Sequence, residues 1–180
     1  MTVVETARLV LRLWEWGDLE VLTEIFAKPE VWQFPFRRGF TDKETADFLE
    51  RALVKQEAGI PTPWAAELRD ADRVVGYVGL SVPEFLPEVM PAVEVGWRLD
   101  PGFWGRGLAT EGAAGALDHG FGVLGLEQIV SIYQPENVAS GRVMERLGMI
   151  FDRDTVFPGR HLALRVYRIR RDEWPVADAP

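Results

Sequence analysis

Two glycines set two residues apart, where a strand pattern gives way to a helix pattern, are the residues of this chain best suited to hold an anion. In the stretch from Glu94 to Gly112, EVGWRLDPGFWGRGLATEG, and just before it, Val93, Val95, Trp97 and Leu99 occupy alternate positions. That is the period of a strand with one face in a core. Asp100-Pro101-Gly102 breaks the pattern. Gly105 and Gly107 then remove the Cβ atoms that would hold a ligand off the backbone. The helix predicted to follow aims unpaired N–H groups and the positive end of its dipole at the same point, so the segment reads as a cradle for a pyrophosphate.

Spacing separates this loop from two other phosphate loops. A P-loop needs a Lys and a hydroxyl directly after its second glycine, and Leu108 and Ala109 stand there. A dinucleotide fingerprint needs a third glycine where Thr110 lies, and an acid on the next strand that is absent here.

The second chemistry belongs to a carboxylate. Glu94 falls on the strand face opposite Val93, Val95 and Trp97, in phase with Gly96 and Arg98. An acid there is costly to bury unless it is paired or put to use. Pairing with Arg98 would make it structural. Alternatively it is a general base, because an alkylammonium is no nucleophile until it loses a proton. Asn137 and Ser140 open a later helix; helix capping explains Asn137, and an ordinary first-turn position explains Ser140. His119, His161 and Tyr133 are further titratable residues, of which Tyr133 is an outside choice for a general acid.

The segment Trp104-Gly105-Arg106-Gly107-Leu108-Ala109 resembles the acyl-CoA loop of the GNAT N-acetyltransferases, [Gln/Arg]-x-x-Gly-x-[Gly/Ala], with Trp104 departing at the first position. That departure, with Ala109-Thr110-Glu111 following, is similar to the RimJ/RimL-like branch, which acetylates protein N-termini and small amines. Thr6-Ala7-Arg8-Leu9-Val10-Leu11-Arg12 with Asp18, and Asn137 to Met149, resemble two further motifs of that branch, in the same order. The resemblance implies direct transfer of an acetyl group from acetyl-CoA to a small-molecule or peptide amine. It implies a cofactor site of Trp97, Leu99, Trp104, Gly105, Arg106, Gly107, Leu108, Ala109, Thr110 and Asn137. Glu94 becomes the base and Ser140 the proton donor to the leaving thiolate. Trp32, Phe34, Phe36 and Phe85, bulky residues in predicted loops, become walls of the acceptor site, although a satellite core explains them equally. A non-catalytic acyl-CoA-binding domain is the alternative, and a homodimer is compatible with the resemblance.

Those residues need a scaffold. Pattern and turn residues predict a strand at 8–13, helices at 18–27 and 41–58, and strands at 64–69, 73–82 and 92–99. A helix over 106–124, a strand at 130–133, a helix between Asn137 and Gly148 and two last strands complete it. The 106–124 helix presents Ala109, Ala113, Ala116, Leu117, Gly120, Phe121 and Leu124 on one face, a stripe small enough to lie close on a sheet. The fold class is mixed α/β, and the resemblance makes it a twisted, largely antiparallel sheet flanked by helices. One domain over 1–175 and a tail at 176–180 are expected.

Composition narrows the function classes. With 180 residues, 47% of them hydrophobic, the chain can build one sizeable core. It has no Cys, which excludes a disulfide, a thiolate metal site and an acyl-cysteine intermediate; no metal site is expected. A net charge of −8 argues against nucleic acid as a partner. Seventeen of the twenty basic residues are Arg, so a single Arg is weak testimony to function. No leader or membrane span is read, and a cytoplasmic protein is expected. The acidic charge, with Glu94 beside aromatic residues, predicts a cationic amine as acceptor and disfavours a carboxylated one.

Overall fold

A computed structural model describes residues 1–175; the tail expected at 176–180 lies outside the described residues. Eight strands form one sheet in the order β1-β2-β3-β4-β5-β6-β8-β7. They are β1 (Thr2–Glu5), β2 (Leu9–Arg12), β3 (Trp64–Leu68), β4 (Arg73–Ser81), β5 (Glu94–Leu99), β6 (Gln128–Tyr133), β7 (Ile150–Val156) and β8 (Ala163–Arg170). Every neighbouring pair is antiparallel except β5 and β6, which run parallel. The expected fold class is therefore found, with one strand more than the pattern predicts. β1 is short and exposed at both ends, so it carries no core-facing alternation to read.

Four helices, α1 (Leu19–Phe26), α2 (Asp42–Glu57), α3 (Leu108–Gly122) and α4 (Val138–Arg146), cover the two faces. Alternation along β3 shows the division: Trp64 and Ala66 join the core under α3 and α4, whereas Ala65 joins the core under α1 and α2. Thr41 caps α2, taking the N–H of Glu44 while the Glu44 carboxylate takes the N–H of Thr41. α3 does lie close on the sheet. A Cβ at Gly115 would come within 2.9 Å of Val4 and one at Gly120 within 2.6 Å of Ile129, so the small stripe is a packing requirement. Leu124 is the exception, exposed beyond the end of α3, while Leu108 at its start is buried.

Arg12 and Asp18 of the amino-terminal motif are structural. The Arg12 guanidinium grips both Asp18 oxygens at 2.7 and 2.9 Å and donates to Glu67 at 2.7 Å, tying β2 to β3 and to the start of α1. Asp18 also accepts the N–H of Glu15. Among the described residues no helix is long and apolar enough to cross a membrane, and no cluster of side chains could hold a metal ion.

Candidate active site

β5 is fully paired on one side and nearly free on the other. Against β4 its register runs without a break from Ser81↔Glu94 to Gly76↔Leu99. Against β6 the register holds at one point, Glu94↔Val130, where the Val130 N–H reaches the Val93 carbonyl at 2.9 Å. The buried Ser131 hydroxyl donates to the Val95 carbonyl at 2.9 Å. Beyond Val95 the two strands part, and a groove opens between β5 and α4.

The glycine loop begins on an anchored turn. Asp100 is buried, accepts two 2.8 Å bonds from the Lys28 ammonium and accepts the N–H of Gly102 at 3.0 Å. The Trp104 indole N–H donates to the Leu99 carbonyl at 2.7 Å. Gly105 and Gly107 have φ of 73° and 78°, a region costly for residues with a Cβ. Among the described residues, the N–H groups from Gly105 to Thr110 meet no protein acceptor; the first intrahelical bond is Glu111 N–H to Gly107 O. Six successive unpaired donors at a helix N-terminus have the geometry that suits an anion.

A brace from the other end of the chain holds this loop. Arg8 donates to the Arg106 carbonyl at 2.8 Å and to Glu111 at 2.6 Å, and Glu111 also accepts from the Thr6 hydroxyl at 2.6 Å and the Arg8 N–H at 2.7 Å. The carbonyl of Arg106 is thereby fixed. Burial raises the Glu111 pKa, but the bonds from Thr6 and Arg8 outweigh it and the net direction is down. A lowered carboxyl stabilises the fold above its ordinary range, and that contribution is lost as pH falls through the folded value. Arg8→Gln is expected to weaken coenzyme A binding by about 10-fold, the scale of one lost charged hydrogen bond. Calorimetry beside a thermal melt checks it; unchanged affinity would make the brace irrelevant to the loop.

Trp97, Leu99, Trp104, Gly105, Gly107, Leu108, Ala109, Thr110, Asn137 and Ser140 all line a single cavity of about 770 Å³. Arg106 does not. Its guanidinium turns back to the Gly102 carbonyl at 3.1 Å and lies 5.0 Å over the Phe103 ring, so the residue offers the loop its backbone N–H alone. Asn137 caps α4 by accepting the Ser140 N–H at 3.2 Å, which leaves its amide N–H groups to serve a ligand. Arg142 and Arg146, one turn apart on α4, also line the cavity. Their four-residue spacing was the available signal, obscured by the abundance of Arg.

Glu94 is not among the lining residues, although Arg98, on the same face of β5, is. Burial pushes its carboxyl up to about 7, against the opposing pull of the Ile132 backbone and the Arg98 charge. Arg98 is not its ion-pair partner. The guanidinium donates to the Val31 and Phe34 carbonyls at 2.7 and 2.8 Å and to the Tyr77 hydroxyl at 3.0 Å, and stacks 4.0 Å over Trp32. Trp32 is accordingly corrected from pocket wall to core: it is 6% exposed and stacked 3.7 Å from Phe40. Phe34 lines the cavity with Val31, while Phe36 and Phe85 remain exposed on neighbouring loops. Tyr133 packs its hydroxyl end against Gly141 and is absent from the cavity lining, as are His119, packed edge-on to Trp64, and His161.

The acetyltransferase (GNAT) domain model matches residues 8–150, four-fifths of the chain. The chain belongs to the GNAT acetyltransferases. Over 146 residues, 81% of each chain, it is 28% identical to the uncharacterized N-acetyltransferase YnaD of Bacillus subtilis (strain 168). Among solved structures, a GNAT-family acetyltransferase from Bacillus anthracis superposes with a TM-score of 0.79 at 25% identity, covering 96% of this chain and all of that one. RimL, the ribosomal L7/L12 alpha-N-protein acetyltransferase in complex with coenzyme A, shares the fold with a TM-score of 0.77 at 15% identity, covering 94% and 98%.

As a GNAT acetyltransferase the protein is an enzyme and uses acetyl-CoA, which displaces the reading of a non-catalytic binding domain. The residues present fit that molecule. Six free N–H donors suit its pyrophosphate, and a parted strand edge beside the cavity suits its narrow arm. Arg142 and Arg146 add positive charge on the opposite wall.

Proposed function

We propose that the chain is a RimJ/RimL-like N-acetyltransferase, acting on a primary amine that is either a protein N-terminal α-amine or a small molecule. The observation that carries this reading is the parting of β5 from β6. It gathers the glycine loop, Asn137 and Ser140 around one cavity, while Glu94 sits on the same strand where the ladder still holds.

Bound in the groove, acetyl-CoA supplies an acetyl group activated as a thioester. Gly105 to Thr110 hold its pyrophosphate through backbone N–H, and the edge of β5 at Trp97 and Leu99 holds its arm. Backbone N–H along that edge polarises the reacting carbonyl, as in an oxyanion hole. Glu94 takes the proton from the ammonium and so generates the nucleophile; a carboxyl with a pKa of about 7 is matched to that task at neutral pH. An α-amine, with an ordinary pKa of about 8, surrenders its proton more readily than a lysine at about 10.4. With no Cys in the chain, attack on the acetyl group is direct. Ser140 serves as proton donor to the leaving sulfur. It is one of two hydroxyl side chains in the cavity lining, and the other, Thr110, belongs to the anion loop.

Release of free coenzyme A thiol, followed across peptides with free and blocked N-termini, polyamines and alcohols, tests the reading. Free α-amines and primary amines are expected to be acetylated and blocked peptides and alcohols left alone. Transfer to alcohols, or none to any amine, overturns it.

A further inference from the structure

A chain of aromatic and guanidinium contacts begins and ends beside Glu94. Arg98, whose charge acts on the Glu94 carboxyl, stacks 4.0 Å over Trp32. Trp32 meets Phe36 edge-on at 5.8 Å, and the Arg160 guanidinium lies 5.3 Å from the centre of Phe36 and 5.3 Å from that of Phe157. Phe157 stacks on Phe85 at 5.5 Å and packs on the cluster of Leu86, Val130, Leu164 and Val166. Val130 is the residue opposite Glu94. Three loops, those following α1, β4 and β7, are thus joined around the end of β5 that carries the carboxylate.

Arg160 is placed by its turn. Pro158 and Gly159, the latter with φ of 75°, close the step in which the Arg160 N–H donates to the Phe157 carbonyl at 3.1 Å, so both side chains issue from one bend. Among the described residues Arg160 has no carboxylate within ion-pair distance and no hydrogen-bond acceptor for its guanidinium. Arg98 has none of the first kind either, but spends its donors on two loop carbonyls and a phenol. Among the described residues, then, this contact chain carries two guanidinium groups, Arg98 and Arg160, with no carboxylate at ion-pair distance from either, in a chain of net −8. Two aromatic rings, each centred 5.3 Å from the Arg160 guanidinium, restrain it, and its N–H groups, untaken by any acceptor among the described residues, suit a planar carboxylate.

We propose that Arg160, held against Phe36 and Phe157, is a specificity-determining residue that binds a carboxylate on the acceptor. The acceptor then presents its amine to Glu94 and its anionic group to Arg160, as an amino acid or a peptide with an acidic residue beside its N-terminus would. This reverses half of the expectation drawn from composition: the amine is cationic, but the molecule bearing it is not excluded by a carboxylate. The inference rests on the acetyltransferase reading for the amine and on the side chains alone for the anion.

The test uses matched pairs differing only in that charge: amino acids against their amides, and glutamyl against glutaminyl peptides. In coenzyme A release, carboxylate acceptors are expected to exceed their neutral partners about 10-fold or more in kcat/KM, the scale of a charged hydrogen bond. Arg160→Gln should erase the preference by raising KM for the acids, without changing neutral acceptors or coenzyme A affinity, and Arg160→Lys should restore part of it. Binding is read separately by titrating N-acetylglutamate and N-acetylglutamine amide, which carries no carboxylate, into the protein, with and without coenzyme A. This arm needs no turnover, so it distinguishes failure of the clamp from failure of the acetyltransferase reading. Equal affinity for the two compounds, or an Arg160→Gln protein that still prefers the acid, overturns the proposal.

Discussion

Replacing Glu94 with glutamine is expected to lower turnover by about 10²–10⁴-fold, the span of general acid–base catalysis, with little change in coenzyme A affinity. The substitution keeps the side-chain volume and removes the proton acceptor. Because burial lifts the carboxyl to about 7, the wild-type rate should rise with pH through that value as the base ionises, and the variant should lose that inflection. Stability gives an independent reading with a definite sign. A carboxyl raised in the fold favours the protonated form, so its contribution is present below the ordinary carboxylate pKa and is lost as pH rises toward 7. Glu94→Gln should therefore melt higher relative to wild type at alkaline than at acid pH. A variant with an unchanged rate and pH profile would make Glu94 a structural residue.

Replacing Gly107 with valine should abolish measurable coenzyme A binding in calorimetry. At φ of 78° a β-branched residue is strained, and its Cβ would stand 3.6 Å from the Arg8 guanidinium that braces the loop. The left-handed conformation also predicts a local cost to the fold of roughly 1–2 kcal/mol. Asparagine separates the two effects, since it tolerates that conformation but still carries a Cβ. Gly107→Asn should keep the melting temperature and lose about 100-fold in affinity, the worth of two charged hydrogen bonds. Full affinity in the asparagine protein would mean that the ligand does not approach Gly107.

The anion loop was legible because its requirement is of the backbone: two positive φ angles and a row of free N–H groups can be written only with glycine and a helix start, and Gly105 and Gly107 are where both occur. The small stripe of α3 was legible for a similar reason, since a glycine inside a helix calls for a compensating contact: Gly112, Gly115 and Gly120 have one, and Gly122, at the helix end, does not. What sequence could not show was direction. Arg106 lies in the motif yet turns its side chain away, whereas Arg142 and Arg146 face the cavity from a helix read chiefly for its cap. Trp32 looks like a loop residue until Phe26, Phe40 and Arg98 close around it. Thr6, Arg8 and Glu111 belong to two separate motifs, but that these motifs are one brace depends on a contact spanning about a hundred residues, which no local pattern encodes.

The parting of β5 from β6 leaves strand backbone unpaired, a hazard usually associated with the margins of a sheet, where a foreign strand can add itself and seed aggregation. Here the unpaired edge is interior. β6, β8 and β7 continue the sheet on its far side, and α4 roofs the opening. A polypeptide strand projects side chains to both faces, whereas an unbranched chain brings none for the flanking strands and helix to accommodate. The same gap that would be a liability at the rim thus sits inside the sheet, where a slender ligand rather than another protein's strand is the fitting partner for its backbone.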